Sequence, residues 1–217
     1  MKRRDFGQYC GLARALELVG ERWALLIVRD LTVRPRRYTD LLEGLAGIPT
    51  NVLSTRLKEL EQSGIVERRV APAPQRGVLY ALTTVGHELE PAVLALGRWG
   101  TTQLSDPEPG DIVTPESVTL TFRGVFDPDA ATGLTASWEI HAHDLVLHLV
   151  LTDGKLESGP GPAPDKPDLT ITAKLADHEL PSYQAIMQAA KCGLVDLKGR
   201  RKLLDTFIKQ FDVPRAA

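Results

Sequence analysis

The chain has 217 residues, 43% of them apolar and 25% charged, a balance that excludes a disordered or fibrous protein and fits a folded globular one. No apolar run reaches the roughly 18–20 residues of a membrane span. The basic start MKRRDFGQYC is not followed by the apolar stretch of a secretory signal, so a cytoplasmic location without membrane insertion is expected. Cys10 and Cys192 are the only cysteines and lie far apart, which points to two reduced thiols rather than a disulfide framework. The net charge of −2 hides a split: residues 1–104 carry 15 Lys and Arg against 11 Asp and Glu, and residues 105–217 carry 11 against 17. The basic half is the better candidate for a polyanionic partner.

The first half reads mostly as helices. Cys10–Val19 is a short amphipathic segment with Leu12, Leu16 and Val19 on one side. Arg22–Leu31 is a second, very apolar helix that ends near TVRPRR, where Pro35 disfavours helix at the residue before it. YTDLLEGL is a third, with Thr39 as a candidate N-cap, and Gly44 and Gly47 bracket a tight turn. Residues 49–63 form a fourth, opened by Pro49 and closed by Gly64. IVERRV and VLYALT are two short strands joined by the loop APAPQRG. A last helix runs from Thr83 or Thr84 through Leu89, Val93, Leu96 and Trp99.

That order of helices, glycine turn, helix, hairpin and helix is the order of a winged helix-turn-helix. Leu53, Leu57 and Leu60 repeat at i, i+4, i+7 and should anchor the fourth helix on a core. Thr50, Asn51, Ser54, Thr55, Lys58 and Gln62 then project away from it. Short hydroxyl and amide side chains can pair with base edges or phosphates, and lysine neutralises phosphate. On the hairpin, Arg68 and Arg69 lie on the first strand, and Arg76 sits near the tip of a proline-stiffened loop suited to a minor groove. Arg36 and Arg37 in RPRRY precede the third helix and are placed to grip phosphate. Each feature alone also fits a solvated face or a basic loop; their combination favours double-stranded DNA.

The segments CGLARALELVGERWALLIVRDL, RRYTDLLEGLAGIPTNVLSTRLKELEQSGIVERR and LYALTTVGHEL together resemble the HxlR-type winged helix regulators of bacteria, over nearly all of residues 8–104. The resemblance implies a homodimeric transcription factor on an inverted-repeat operator, with the recognition helix at 49–63, the wing at 66–82, and the first and last helices of this half at the dimer interface. Some members of that family use an N-terminal cysteine as a redox or electrophile sensor. Cys10 matches that position, although Gly11 follows it where proline is frequent. A small half-buried cysteine at a helix start is the blander reading.

SDPEPGDIVTP, at 105–115, reads as an interdomain linker. Beyond it, SVTLTFR, LTASWEI, LVLHLVL and DLTITAKL are strand candidates; DP at 127–128 and DGK at 153–155 are turn signals. A helical stretch follows within 176–191, interrupted near Pro181; LVDLKG is a last strand, and 201–211 closes the chain as an amphipathic helix. The expected fold class is therefore α+β in two domains: residues 1–104 a winged helix-turn-helix and residues 116–217 a sheet-and-helix sandwich. Residues 117–212 resemble a sterol-carrier-protein-like domain through DGKLESG, PDLTITAKL and LVDLKG. That resemblance implies an apolar tunnel for a lipid-like ligand, for which Trp138, Leu147, Leu149, Phe207 and Phe211 are the candidate lining. HAHDLVLH offers His141, His143 and His148, but the pair His141–His143 has no third partner at metal-site spacing, so no metal is expected. With no phosphate loop or nucleophile motif either, neither an enzyme nor a cofactor is expected.

The expectation is a homodimeric, sequence-specific DNA-binding transcription regulator whose C-terminal domain senses a small apolar ligand or supports the dimer. The rival reading is a lipid carrier whose winged helix serves only as a protein-interaction module.

Overall fold

The structure is a computed structural model that describes residues 6–212 except 73, 75, 109 and 130. The chain divides into two compact units, Met1–Val93 and Leu94–Ala217. The residues 105–115 that the sequence marks as a linker follow the helix in which this division falls, and Pro115 already opens the next helix. No helix among the described residues is long and apolar enough to cross a membrane.

The first unit contains α1 (Gly11–Val19), α2 (Ala24–Val33), α3 (Tyr38–Gly44), α4 (Thr50–Gln62), β1 (Val66–Val70), β2 (Val78–Leu82) and α5 (Thr84–His87), and ends in the first turn of α6 (Glu90–Thr102). Its core gathers Ile27, Val28 and Leu31 of α2, Leu41 of α3, and Leu53, Leu57 and Leu60 of α4, all 2% exposed or less. Burying each such leucine contributes about 1.5–3 kcal/mol. The hairpin β1–β2 is antiparallel with Val66 opposite Leu82 and Val70 opposite Val78. Arg36 adds a third rung: its N–H donates to Tyr80 O at 2.9 Å, and the Tyr80 N–H donates back to Arg36 O at 2.7 Å.

The single helix expected after Thr83 is two. Thr83 caps α5 by accepting from Gly86 N at 3.0 Å. The chain then restarts as α6 at Glu90, with Pro91 in its first turn, the one place in a helix where a missing N–H costs nothing. Gly86 is required by space, because a Cβ there would lie 2.1 Å from Ile65 O.

The second unit holds α7 (Pro115–Val125), β3 (Ala136–Ala142), β4 (Leu145–Thr152), β5 (Lys155–Pro160), β6 (Leu169–Ala173), α8 (Tyr183–Lys191), β7 (Val195–Gly199) and α9 (Leu203–Phe211). The five strands form one sheet in the order β5-β4-β3-β6-β7. β3, β4 and β5 run as an antiparallel meander, β6 lies parallel to β3, and β7 returns antiparallel to β6. Both meander turns have two residues. Asp153 and Gly154 take φ +48° and +77°, and His143 takes +49°, the left-handed conformations that tight hairpins need.

SVTLTFR, expected as a strand, is the body of α7. Thr114 accepts from Ser117 N at 3.1 Å and Pro115 fills the first helical position, so a helix start precedes the β-branched run. Val118, Phe122 and Val125 then fall at helical spacing and are buried. The apparent alternation of Val118, Leu120 and Phe122 shares two positions with that pattern, which is why a period of two also fitted. β5 was not anticipated as a strand: KLESGP is polar and edge-like, and the register with β4 carries it.

One face of the sheet packs on helices. Trp138, Leu147, Leu149, Phe207 and Phe211, expected to line a pocket, are all 0% exposed. They sit in a closely packed core. Ring centroids are 6.2 Å apart for Trp138–Phe207, 6.0 Å for Trp138–Phe211 and 5.4 Å for Phe207–Phe211, with Phe122 5.5 Å from Phe211. The indole N–H of Trp138 donates to Leu203 O at 3.1 Å, so even the one polar atom of that ring is satisfied. The Phe122→Ala variant is expected to lose about 3–5 kcal/mol of stability, measured by urea unfolding; a loss below 1 kcal/mol would mean that this aromatic cluster is not the core of the unit.

Candidate nucleic-acid interface

The leucine row of α4 fixes what the rest of the helix can present. With Leu53, Leu57 and Leu60 inside, Thr50, Asn51, Ser54, Thr55, Lys58 and Gln62 are all exposed. The hydroxyls of Ser54 and Thr55 donate to the carbonyls of Thr50 and Asn51 at 2.9 and 2.7 Å. Their oxygens keep lone pairs for an incoming donor, and either hydroxyl can rotate to donate outward. Tyr38, which sequence reasoning did not single out, closes this end of the helix. Its hydroxyl donates to Thr50 O at 2.9 Å and lies 3.1 Å from Ser54 Oγ. Only its place beside RPRR could have marked it.

The arginines differ more than their spacing suggests. Arg36 is 8% exposed, and its Nη2 donates to Asp40 O at 3.0 Å. It is therefore removed from the expected phosphate contacts: the backbone rung with Tyr80 turns its side chain inward. Arg37 is half-buried, and its Nη1 donates to Arg76 O at 2.6 Å, tying the wing loop to the start of α3. Gly77, at φ +109°, leaves room for that contact, since a Cβ there would meet Arg37 Nη1 at 2.7 Å. Arg68 pairs with Glu61 at 3.2 Å and lies over the Tyr80 ring at 5.6 Å, while Arg69 pairs with Glu67 at 2.6 Å. Both pairs are solvent-exposed and worth about 0–1 kcal/mol, so a phosphate can replace either carboxylate at little cost. Lys58 and Arg76 are exposed and have no acidic partner among the described residues.

Cys10 is exposed at the N-cap position of α1. The backbone N–H groups of Ala13 and Leu12, in the first turn of the helix, favour the thiolate and hold its pKa below the ordinary thiol value.

The histidines of HAHDLVLH do not converge. His143 occupies the β3–β4 turn and its Nε2 lies 3.0 Å from Glu179 O. His141 pairs with Glu139 at 2.8 Å, and His148 Nδ1 lies 3.2 Å from Gly161 O. Among the described residues no group of three or more His, Cys, Asp or Glu is arranged to hold a metal ion. Glu139 is held below the usual carboxylate range by the hydrogen bond from His141 and by the Ala163 N–H.

Comparison with known proteins agrees with the first unit. The HxlR-like helix-turn-helix family matches residues 18–108. An uncharacterized HTH-type transcriptional regulator of Synechocystis is 35% identical over 96 residues, which are 44% of this chain and 71% of that protein. An uncharacterized HTH-type transcriptional regulator of Mycobacterium tuberculosis is 41% identical over 97 residues, 45% of this chain and 61% of that one. The HTH-type transcriptional regulator YodB of Bacillus subtilis is 38% identical over 102 residues, 47% of this chain and 88% of YodB. The matched residues contain α2 through α6 with the turn and hairpin between them, and most of the second unit lies beyond them. The chain belongs to the HxlR-like helix-turn-helix family.

Proposed function

We propose that this protein is a homodimeric, sequence-specific DNA-binding transcription regulator that reads an inverted-repeat operator. The observation that carries the reading is the exposed face of α4, where Thr50, Asn51, Ser54, Thr55 and Lys58 stand together without an acid. α4 enters the major groove with Asn51 and Thr55 towards base edges. Lys58, Arg76, Arg68 and Arg69 meet phosphates, and Arg37 holds the wing for them. A protein-interaction module on a lipid carrier would not need that face, or an exposed Arg76 with no acidic partner among the described residues.

On a mapped operator, Asn51→Ala and Thr55→Ala are each expected to cost roughly 1–3 kcal/mol of discrimination between cognate and mutated sites. Lys58→Ala and Arg76→Ala lower affinity evenly across sequences and flatten its salt dependence. Unchanged affinity in all four folded variants, measured by fluorescence anisotropy, would sink the assignment.

Dimerisation is supported by apolar side chains left in solvent: Leu12 and Leu16 of α1 at 69% and 45% exposure, and Leu96 and Trp99 of α6 at 51% and 63%. Half-sites lie about 34–36 Å apart, one turn of DNA. Light scattering at micromolar concentration should give twice the chain mass; a strict monomer with and without DNA refutes the dimer.

For the second unit, the ring-to-ring packing of Trp138, Phe207 and Phe211 supports a filled scaffold over an open sterol-carrier-like tunnel. A small apolar ligand would have to part those rings. Cys10 is the thiol through which an oxidant or electrophile would act on the first unit. In a Cys192→Ser variant, the iodoacetamide rate should show a midpoint below the roughly pH 8.5 of a free thiol; a midpoint at or above that value removes Cys10 as a sensor.

A further inference from the structure

A groove of about 330 Å³ opens on the first unit between the start of α2 and the flank of α4. Trp23 forms one wall. Its φ is +80°, a left-handed conformation that a bulky side chain adopts only under constraint, at a cost of about 1–3 kcal/mol. The turn is held by Ala24 N–H donating to Glu21 O at 3.0 Å, and α2 begins on the Trp23 carbonyl. Arg22 lies over the indole at 5.5 Å and has no acidic partner among the described residues. Across the groove, Arg56 is already neutralised by Glu21, at 3.2 Å, and by Glu59, and its buried Nε has no hydrogen-bond partner. Pro49 and Val52 supply an apolar floor.

We infer that this groove is a receptor for a planar aromatic carboxylate. The indole takes the flat π face, Pro49 and Val52 take the ring edge, and the carboxylate binds Arg22, which pairs with no acid among the described residues. The volume is at the lower end for small-molecule sites and suits one or two fused rings. A cationic ligand of the same shape is repelled by Arg22.

Occupancy acts on α4 directly. Pro49 immediately precedes the helix, and Val52 and Arg56 share it with Asn51 and Thr55. A ligand that fits the groove better in one position of α4 than in another shifts DNA affinity by that difference. This coupling rests on the DNA-binding reading; the binding itself does not.

The test is calorimetric titration of the full chain, without DNA, with 2-naphthoate, benzoate, cyclohexanecarboxylate and 2-naphthylmethanol. Saturable binding of 2-naphthoate is expected, at least tenfold tighter than that of the non-aromatic acid and of the uncharged alcohol. Arg22→Ala should weaken it at least tenfold. Trp23→Gly should do the same while keeping the backbone, since glycine accepts φ +80° without strain. Absence of saturable binding at millimolar 2-naphthoate overturns the proposal, as does binding unchanged in Arg22→Ala. A groove that binds no carboxylate, but whose Arg22→Ala variant loses DNA affinity and salt slope, belongs to the DNA backbone, which also overturns it. Operator affinity is then measured with and without 2-naphthoate. Carboxylate binding in a chain that binds no DNA leaves the receptor standing and removes the regulator reading.

Discussion

Three leucines on one helix organise the first unit. Leu53, Leu57 and Leu60 are sunk into the core with Ile27, Val28, Leu31 and Leu41, and they leave α4 no rotational freedom about its own axis. Everything the helix shows to solvent follows from that anchoring, because 100° per residue assigns each remaining side chain to a face. Asn51, Thr55 and Lys58 point outward, and Val52 and Arg56 flank them on the side of Trp23. The candidate reading face and the groove beside it are thus two faces of one buried row, and a change in how that row packs is felt by both.

The first unit was largely legible before its coordinates. Its helices are strongly periodic, and its punctuation, Pro35, Gly47, Pro49 and Gly64, has one structural meaning each. Side-chain fate was less legible. Arg36 and Arg37 are neighbours in a basic run, yet one is buried against α3 and the other reaches 39 residues along the chain to a wing carbonyl. Nothing in RPRR separates them; the backbone rung between Arg36 and Tyr80 does. Trp23 was equally silent, because a left-handed tryptophan has no compositional signal.

The second unit shows where pattern reading fails. SVTLTFR has strand-favouring residues and strand-like alternation, yet Thr114 and Pro115 start a helix ahead of it, and Val118, Phe122 and Val125 serve that helix as well as they would a strand. β5 failed in the opposite sense: KLESGP lacks apolar alternation and is a strand only because the Asp153–Gly154 turn folds it back on β4. In both, the deciding information lay in the residues just before the element rather than in the element. Alternate residues of β3 and β4 are buried. Coverage alone, however, cannot separate a cavity wall from a solid core; the ring distances around Phe122, Trp138 and Phe211 do.

The bond from Arg37 to the Arg76 carbonyl bears on how this region can vary in length. Surface hairpin loops ordinarily accept insertions at small entropic cost. Here the loop between β1 and β2 is measured at one point by a guanidinium rooted at the head of α3, with Gly77 clearing its path. One added residue before Arg76 would carry the carbonyl out of reach, and a side chain at 77 would block it. The wing is therefore gauged at Arg76, from the helix-turn-helix side of the unit as much as from its own strands.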